Sequence, residues 1–263
     1  MERSELIEAY KSDHHVYENF ATTKAMDGYI GLRIDGRSFH TFTKDLEKPF
    51  DSKFEAAMEA GCETLMKDFD DAVLCYVQSD EVSLVFDKET QVFDRRVEKL
   101  TSLGAAIMSV AFATQFGNQA TFDARMLCMP TEEDAMAMLA ERQQDALKNA
   151  ATSMIFYKLC KDGMSNRAAA RKIDPLSMGG RIALLEELEE PFNTLAPERR
   201  RGRMLVRKTV MREGYNPIAK KRVRAQRNEL EWDRDMPDFR YLDKLPGKPA
   251  RRKPGAHGPE IVD

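Results

Sequence analysis

Two acidic stretches of this 263-residue chain could do phosphate chemistry. Ile34-Asp35-Gly36-Arg37-Ser38-Phe39-His40 closes one apolar run, and Gln78-Ser79-Asp80-Glu81 lies between two others. A carboxylate at a strand end is held stiffly and faces solvent, where a metal-bound triphosphate can approach it. Two of them suit a pair of magnesium ions, which take oxygen ligands and, about 3.5 to 4 Å apart, clamp the attacking and leaving oxygens of an in-line displacement. Singly, each stretch reads equally well as a turn, since Asp-Gly is a common turn dipeptide and Ser-Asp-Glu suits a polar hairpin tip. Together they point to phosphoryl or nucleotidyl transfer, because Leu32-Arg33-Ile34 and Val82-Ser83-Leu84-Val85-Phe86 both read as strand.

The elements that must position this pair follow from periodicity. Tyr29 to Asp35 reads as a strand. Asp51 to Asp68 reads as a helix capped by Asp51 or Ser52 and buried through Phe54, Ala57, Met58, Cys62, Leu65 and Met66. Ala72 to Val77 and Val82 to Phe86 form a hairpin with Asp80 in its tip. Phe93 to Phe116 is expected as a helix with Val97, Leu100, Leu103, Ala106, Ile107, Val110 and Ala111 on its inner face, and Phe122 to Cys128 as a strand. This β-α-β-β-α-β order is that of an α+β, ferredoxin-like split β-α-β sheet, which makes Asp35 and Asp80 neighbours.

Before the sheet, residues 4 to 26 read as a helical segment. After it, Thr131 to Cys160 reads as one bent helix or two, opened by Thr131-Glu132-Glu133. Ser165 to Lys172 and Gly179 to Glu190 follow as shorter helices. Arg203 to Val210 alternates weakly as a late strand. From Glu213 onward Pro, Gly and charge predict extended or disordered backbone. The domain reading is a catalytic region 1–130, a helical region 131–212 of the same unit, and a basic tail 213–263.

Composition is that of a globular chain, with 42% hydrophobic residues. No apolar run approaches the 18 residues of a membrane span, and Met1-Glu2-Arg3-Ser4-Glu5 is unlike a leader, so a cytoplasmic protein is expected. Cys62, Cys75, Cys128 and Cys160 have no paired spacing, which suggests free thiols rather than zinc or disulfides. The net charge of −3 hides an asymmetry: residues 199 to 263 hold 19 Lys/Arg against 9 Asp/Glu. A basic C-terminal third suits contact with a polyanion, although a solvated charged tail has the same composition.

Basic groups surround the acids in sequence. Arg37, His40, Lys44 and Lys48 follow Asp35, while Arg95, Arg96 and Lys99 open the second long helix, where they could equally form a solvated face. With no Walker-type loop, a triphosphate would be held by metals and basic side chains. In Phe122-Asp123-Ala124-Arg125 an internal Asp123–Arg125 ion pair is the expected role.

These motifs, in this order, resemble those of the tRNA(His) guanylyltransferase family, including its Thg1-like 3′-5′ polymerase branch. The Asp35 and Asp80 stretches resemble its two metal motifs, Lys48-Pro49 its basic loop, and Phe93 through Lys99 its Phe-x-Arg-Arg-x-x-Lys stretch. Phe122 through Arg125 and Arg142-Gln143-Gln144-Asp145 through Asn149 resemble two further segments. The likeness covers about residues 1 to 212.

The resemblance implies a polymerase-like palm that adds nucleotides to the 5′ end of tRNA in a homotetramer. ATP or GTP activates the 5′ phosphate, and GTP is the preferred incoming nucleotide. It implies two Mg2+ ions held by Asp35, the Gly36 carbonyl and Asp80, with Glu81 supporting catalysis. Nucleotide would be bound by Asp35, Gly36, Arg37, Ser38, Phe39, His40, Ser79 and Asp80, and by Lys48, Arg96 and Lys99 through charge. One departure bears on the substrate. Where the family's eukaryotic members carry His-Ile-Asn-Asn, this chain reads Leu147-Lys148-Asn149-Ala150, and Glu141 stands in place of a Trp. Templated repair of truncated tRNA 5′ ends is therefore expected ahead of dedicated addition of G before position 1 of tRNA(His). A nucleotide cyclase and a catalytically inactive palm that binds RNA are the alternatives.

Overall fold

A computed structural model describes residues 21–217 and 220–247 and the backbone of residues 260–262. Most of the helix expected at residues 4 to 26 lies outside the described residues. Its described end, residues 21–26, is turn and bridge rather than helix, with Lys24 bridged to Arg96.

Seven strands build one antiparallel sheet in the order β4-β1-β3-β2-β5-β6-β7. They are β1 (Tyr29–Gly36), β2 (Ala72–Gln78), β3 (Glu81–Phe86), β4 (Phe122–Met129), β5 (Arg203–Asn216), β6 (Lys221–Asp233) and β7 (Glu260–Val262). Alternation along β1 assigns its faces. Ile30, Leu32 and Ile34 point to one side; Tyr29, Arg33 and Asp35 point to the other.

The first face is closed by helices α1 (Ser52–Asp68) and α2 (Val97–Phe116). Asp51 caps α1 by accepting the Phe54 N–H at 2.8 Å, and the six apolar residues expected inside are buried. In α2 the expected face is rotated. Leu100, Gly104, Met108, Phe112 and Phe116 are buried, whereas Val110 is 67% exposed. Gly104 fixes that rotation, because any Cβ there would strike the Leu32 side chain of β1. The helix also starts later than expected. Phe93, Asp94 and Arg95 have positive φ and form a tight turn before Val97. By length and composition α2 could cross a membrane, but here its buried residues lie on the sheet and α1.

The second face is crossed by α3 (Glu132–Lys161), one helix rather than two, whose Thr131–Asp134 capping box holds its start. Beyond the sheet α3 carries α4 (Asn166–Ile173) and α5 (Met178–Glu187), which are capped by Ser165 and Ser177 and packed on Ile155 and Leu159.

Of the two readings of the segment from Glu213, extended or disordered, the structure shows the extended one as far as Asp233, as paired strand. Residues 213–216 and 221–233 are the outer parts of a long β5–β6 ribbon. It was hidden in the sequence because both faces of its outer part meet solvent, so no apolar alternation marks it. Cross-strand ion pairs, Lys208–Glu231 and Arg212–Glu229, each at 2.6 Å, stand where apolar pairs would otherwise be read. After the ribbon the chain returns across the second face and buries Met236, Phe239 and Leu245.

Gln143, 1% exposed, holds this return. Its amide donates to the Pro237 carbonyl at 2.8 Å and accepts the Phe239 N–H at 3.0 Å. Gln143→Leu keeps the volume but strands two backbone groups. It is expected to lower the unfolding free energy in urea by about 2 kcal/mol, with an unchanged m-value.

Candidate functional site

Backbone pairing sets the site. β1 and β3 are registered so that Asp35 faces Glu81, and β1 and β4 so that Asp35 faces Asp123. The Gly36 N–H donates to the Asp80 carbonyl at 3.2 Å, which ties the end of β1 to the hairpin tip. Asp35 and Asp80 are thereby brought together, with Glu81 and Asp123 beside them. Ser79, in a left-handed conformation at φ 48°, donates its hydroxyl to Asp80 Oδ1 at 3.0 Å.

The turn after β1 is pinned from below. Phe39 is buried, its ring within 4.9 to 6.0 Å of those of Phe42, Phe54, Phe112 and Phe122. That ring lies against Gly36, where a Cβ would collide with it. Phe39, expected at the nucleotide, thus serves the core and fixes the loop. Arg37, Ser38 and His40 are exposed around it, and the Arg37 N–H donates to the Thr121 carbonyl at 2.9 Å.

A cavity of about 350 Å³ opens beside Asp80, walled in part by His40, Lys48 and Ser79. Lys48 is half-buried, with Nζ 5.9 Å from the centre of the Tyr157 ring on α3. A second cavity of about 350 Å³ shares the Ser79 wall and reaches Asn149, Ser153 and Arg203. Both have the size of small-molecule sites.

Two expected residues lie elsewhere. Arg96 and Lys99 are at the start of α2, at the opposite end of the sheet. Their neighbour Arg95 is buried and donates to the carbonyls of Met26 and Gly28, ahead of β1, which makes it a structural residue. Asp35 is seven residues further along than Gly28, on the order of 20 Å away at about 3.3 Å per residue. The strand order implies this: β3 leaves the site at Glu81 and runs antiparallel to β1, so the segment after Phe86 starts at the far end of the sheet.

Arg33 was missed by the motif reading, and Arg142 entered it as part of the segment from Arg142 to Asn149 without a role at the acids. Both reach the Glu81 carboxylate, at 3.8 and 3.4 Å. The available signal was Arg142 itself, a cation on a helix three residues before Asp145, with which it pairs at 2.7 Å. The expected Asp123–Arg125 pair is present at 3.8 Å.

Electrostatically the acid pair is under load. Burial, then the charges of Glu81 and Asp123, raise the Asp35 carboxyl above its ordinary range, against a lowering by Arg125 and the Gly36 N–H. Asp80 is raised chiefly by burial and further by Asp35 and Glu81, while its own N–H and Ser79 oppose the shift. Among the described residues no three His, Cys, Asp or Glu converge as a protein cage for a metal. Magnesium does not need one, since it keeps waters and takes one or two carboxylates together with substrate phosphates. An all-oxygen pair that carries unrelieved negative charge fits it.

Comparison with known proteins places these observations. The family model described as tRNAHis guanylyltransferase (Thg1) matches residues 12–130. The probable tRNA(His) guanylyltransferase of Drosophila melanogaster is 32% identical over 221 residues, spanning 80% of this chain and 74% of that protein. A bacterial Thg1-like protein solved in complex with ATP superposes with a TM-score of 0.68 at 23% identity, covering 88% of this chain and 94% of that one. The GTP complex of a bacterial Thg1-like protein gives 0.64 at 24% identity, covering 89% and 100%. At these identities the two structures speak for the fold.

A carboxyl whose folded pKa is raised costs stability when ionised. The Asp80 contribution is absent below the ordinary carboxylate range and grows unfavourable as pH rises through the folded value. Asp80→Asn is therefore expected to raise the Tm of the metal-free protein at pH 7, with a gain that disappears toward pH 3. Differential scanning calorimetry across that range checks both.

Proposed function

This chain belongs to the tRNA(His) guanylyltransferase family of nucleotidyltransferases, and on that premise we propose that it is a templated 3′-5′ nucleotidyltransferase acting on tRNA 5′ ends on a polymerase-like palm. The observation that carries the reading is the juxtaposition of Asp35 and Asp80 by the Gly36–Asp80 backbone bond, beside a cavity of nucleotide size.

In this reading the RNA 5′-monophosphate first attacks the α-phosphate of ATP or GTP and releases pyrophosphate. The 3′-hydroxyl of an incoming GTP then attacks the activated 5′ phosphate and displaces the mononucleotide. Asp35, Asp80 and the Gly36 carbonyl would hold two magnesium ions. Bound there, magnesium would supply charge neutralisation and Lewis-acid polarisation of phosphoryl oxygens. Lys48 and His40, on the cavity wall, would face the triphosphate. Ser79 orients the Asp80 carboxylate, and the aromatic cluster under Phe39 keeps the loop from moving during the reaction. The ATP and GTP complexes of the bacterial Thg1-like proteins support both nucleotides as substrates.

The β5–β6 ribbon supports RNA as the partner. Its outer part exposes Arg212, Lys221, Arg222, Arg224 and Arg227, an arrangement that would meet a phosphate backbone in a salt-dependent way. In the proposed homotetramer Arg96 and Lys99, which lie away from Asp35 in their own chain, would serve a neighbouring copy. A second reading, G addition before position 1 of tRNA(His), has the name of the Drosophila relative in its favour. Against it stands the sequence at Leu147-Lys148-Asn149-Ala150, of which Asn149 and Ala150 line the second cavity.

Incubation with ATP, GTP, magnesium and a panel of 5′-truncated and full-length tRNAs decides between them. Template-matched extension of truncated tRNAs is expected, whereas addition confined to tRNA(His) would replace this reading with the second. Asp35→Ala or Asp80→Ala should lower the rate roughly a thousandfold or more, the loss expected from removing several kcal/mol of metal-borne stabilisation. Mixing Asp80→Asn chains with Lys99→Ala chains should restore activity, because only mixed assemblies join an intact acid pair to an intact cation.

A further inference from the structure

Glu81 follows Asp80 in the chain and faces Asp35 across the β1–β3 ladder. Side chains in such a cross-strand pair have Cβ atoms only about 5 Å apart, so a free Glu81 carboxylate could turn toward the same ions. In this fold it is drawn the other way. Arg142, on α3 and 13% exposed at its side chain, places Nη1 3.5 and 3.4 Å from the two Glu81 oxygens. The guanidinium is itself fixed on its own helix, with Nη2 2.7 Å from Asp145 and 3.2 Å from Glu141. Arg33 meets the same Glu81 carboxylate from β1 at 3.8 Å.

We infer that Arg142 is a positioning residue that holds Glu81 against α3 and out of the acid pair, so that the site presents two carboxylates to its ions rather than three. The inference rests on the reading of Asp35 and Asp80 as magnesium ligands. Asp145 sets the guanidinium, the guanidinium sets Glu81, and the hairpin tip that carries Asp80 is thereby fastened to the helix across the second face. A third carboxylate would bind the ions more tightly while displacing the water and phosphate oxygens that a transfer reaction needs.

The test uses the full chain and magnesium itself. Arg142→Gln should lower kcat for 5′ addition by roughly 10- to 100-fold, as loss of an outer-shell partner does, with little change in KM for GTP. The same variant should move the magnesium midpoint of thermal stabilisation severalfold toward lower concentration, because Glu81 is released toward the ions. Arg142→Lys should keep most of the rate. In the double variant Glu81→Gln with Arg142→Gln, the magnesium midpoint should return to that of Glu81→Gln alone, with partial recovery of kcat. An Arg142→Gln midpoint that is unmoved or shifted to higher concentration would reduce Arg142 to a structural staple and overturn the inference. So would an effect undiminished in the Glu81→Gln background. If Arg142→Gln does not fold, the double variant decides: folding with the Glu81→Gln midpoint supports the inference, and failure to fold overturns it. If the wild-type protein shows no magnesium shift that depends on Asp80, the metal-ligand reading fails instead.

Discussion

The structure turns on one enforced proximity. The β1–β3 ladder and the bond from the Gly36 N–H to the Asp80 carbonyl hold two carboxylates together at the end of the sheet. Burial and like charge raise both carboxyls, so the arrangement costs stability in the absence of a cation. It persists because backbone pairing over-determines it. β1 is paired along both edges, and the hairpin is registered from Gln78–Glu81 down to its base at Ala72–Phe86 despite an irregularity between Ala72 and Leu74. A local electrostatic cost is borne by a distributed network of hydrogen bonds, and a divalent cation is the natural means of relieving it.

The two faces of the sheet divide the remaining work. The first face is a mostly apolar layer of α1, α2 and the phenylalanine cluster, and Phe39 anchors the loop after β1 in it. The second face mixes apolar contact with charge. Near the start of β1 it is closed by Met136, Leu139 and Met129; near the site it carries Arg33, Glu81 and Arg142. Polar groups are tolerated there because each charge is answered by another on a different element. On the first face the buried charge is Arg207, whose guanidinium donates to the carbonyls of Ala72 and of Met66 on α1.

How much of this was legible follows from what each residue senses. Asp51, Thr131 and Ser165 could be read as helix starts because capping is local chemistry, whereas the helix expected from Gly179 begins at Met178 behind the Ser177 cap. The hairpin strands of the site were legible as short continuous apolar runs, because β2 is buried throughout and β3 at every residue but Glu81. The inner face of α2 was misjudged because its helix is apolar nearly all round, so the contact of Gly104 with Leu32, a tertiary fact, chose the rotation. Arg95, Arg96 and Lys99 form one basic cluster in sequence, yet Arg95 turns inward to backbone carbonyls while the other two remain at the surface. The ribbon's outer part lacked a buried face and so lacked a pattern, though its pairing is continuous from Met204 to Asn216.

α3 joins the surroundings of the acid pair to the second cavity. Arg142 contacts Glu81 at the acid pair, and two turns along the same helix Asn149 and Ala150 line the second cavity. Gln143, between them, anchors the segment that returns from the ribbon. The helix is held at its start by a capping box, farther along by Arg142 and Gln143, and at its end by the α4 and α5 cluster. Substitutions along it therefore act in different ways according to their turn: those facing the sheet alter the acids, and those facing the cavity alter what is admitted beside them. A side-chain change at Asn149 or Ala150 therefore alters the wall of the second cavity two turns away from Arg142 and its contact with Glu81.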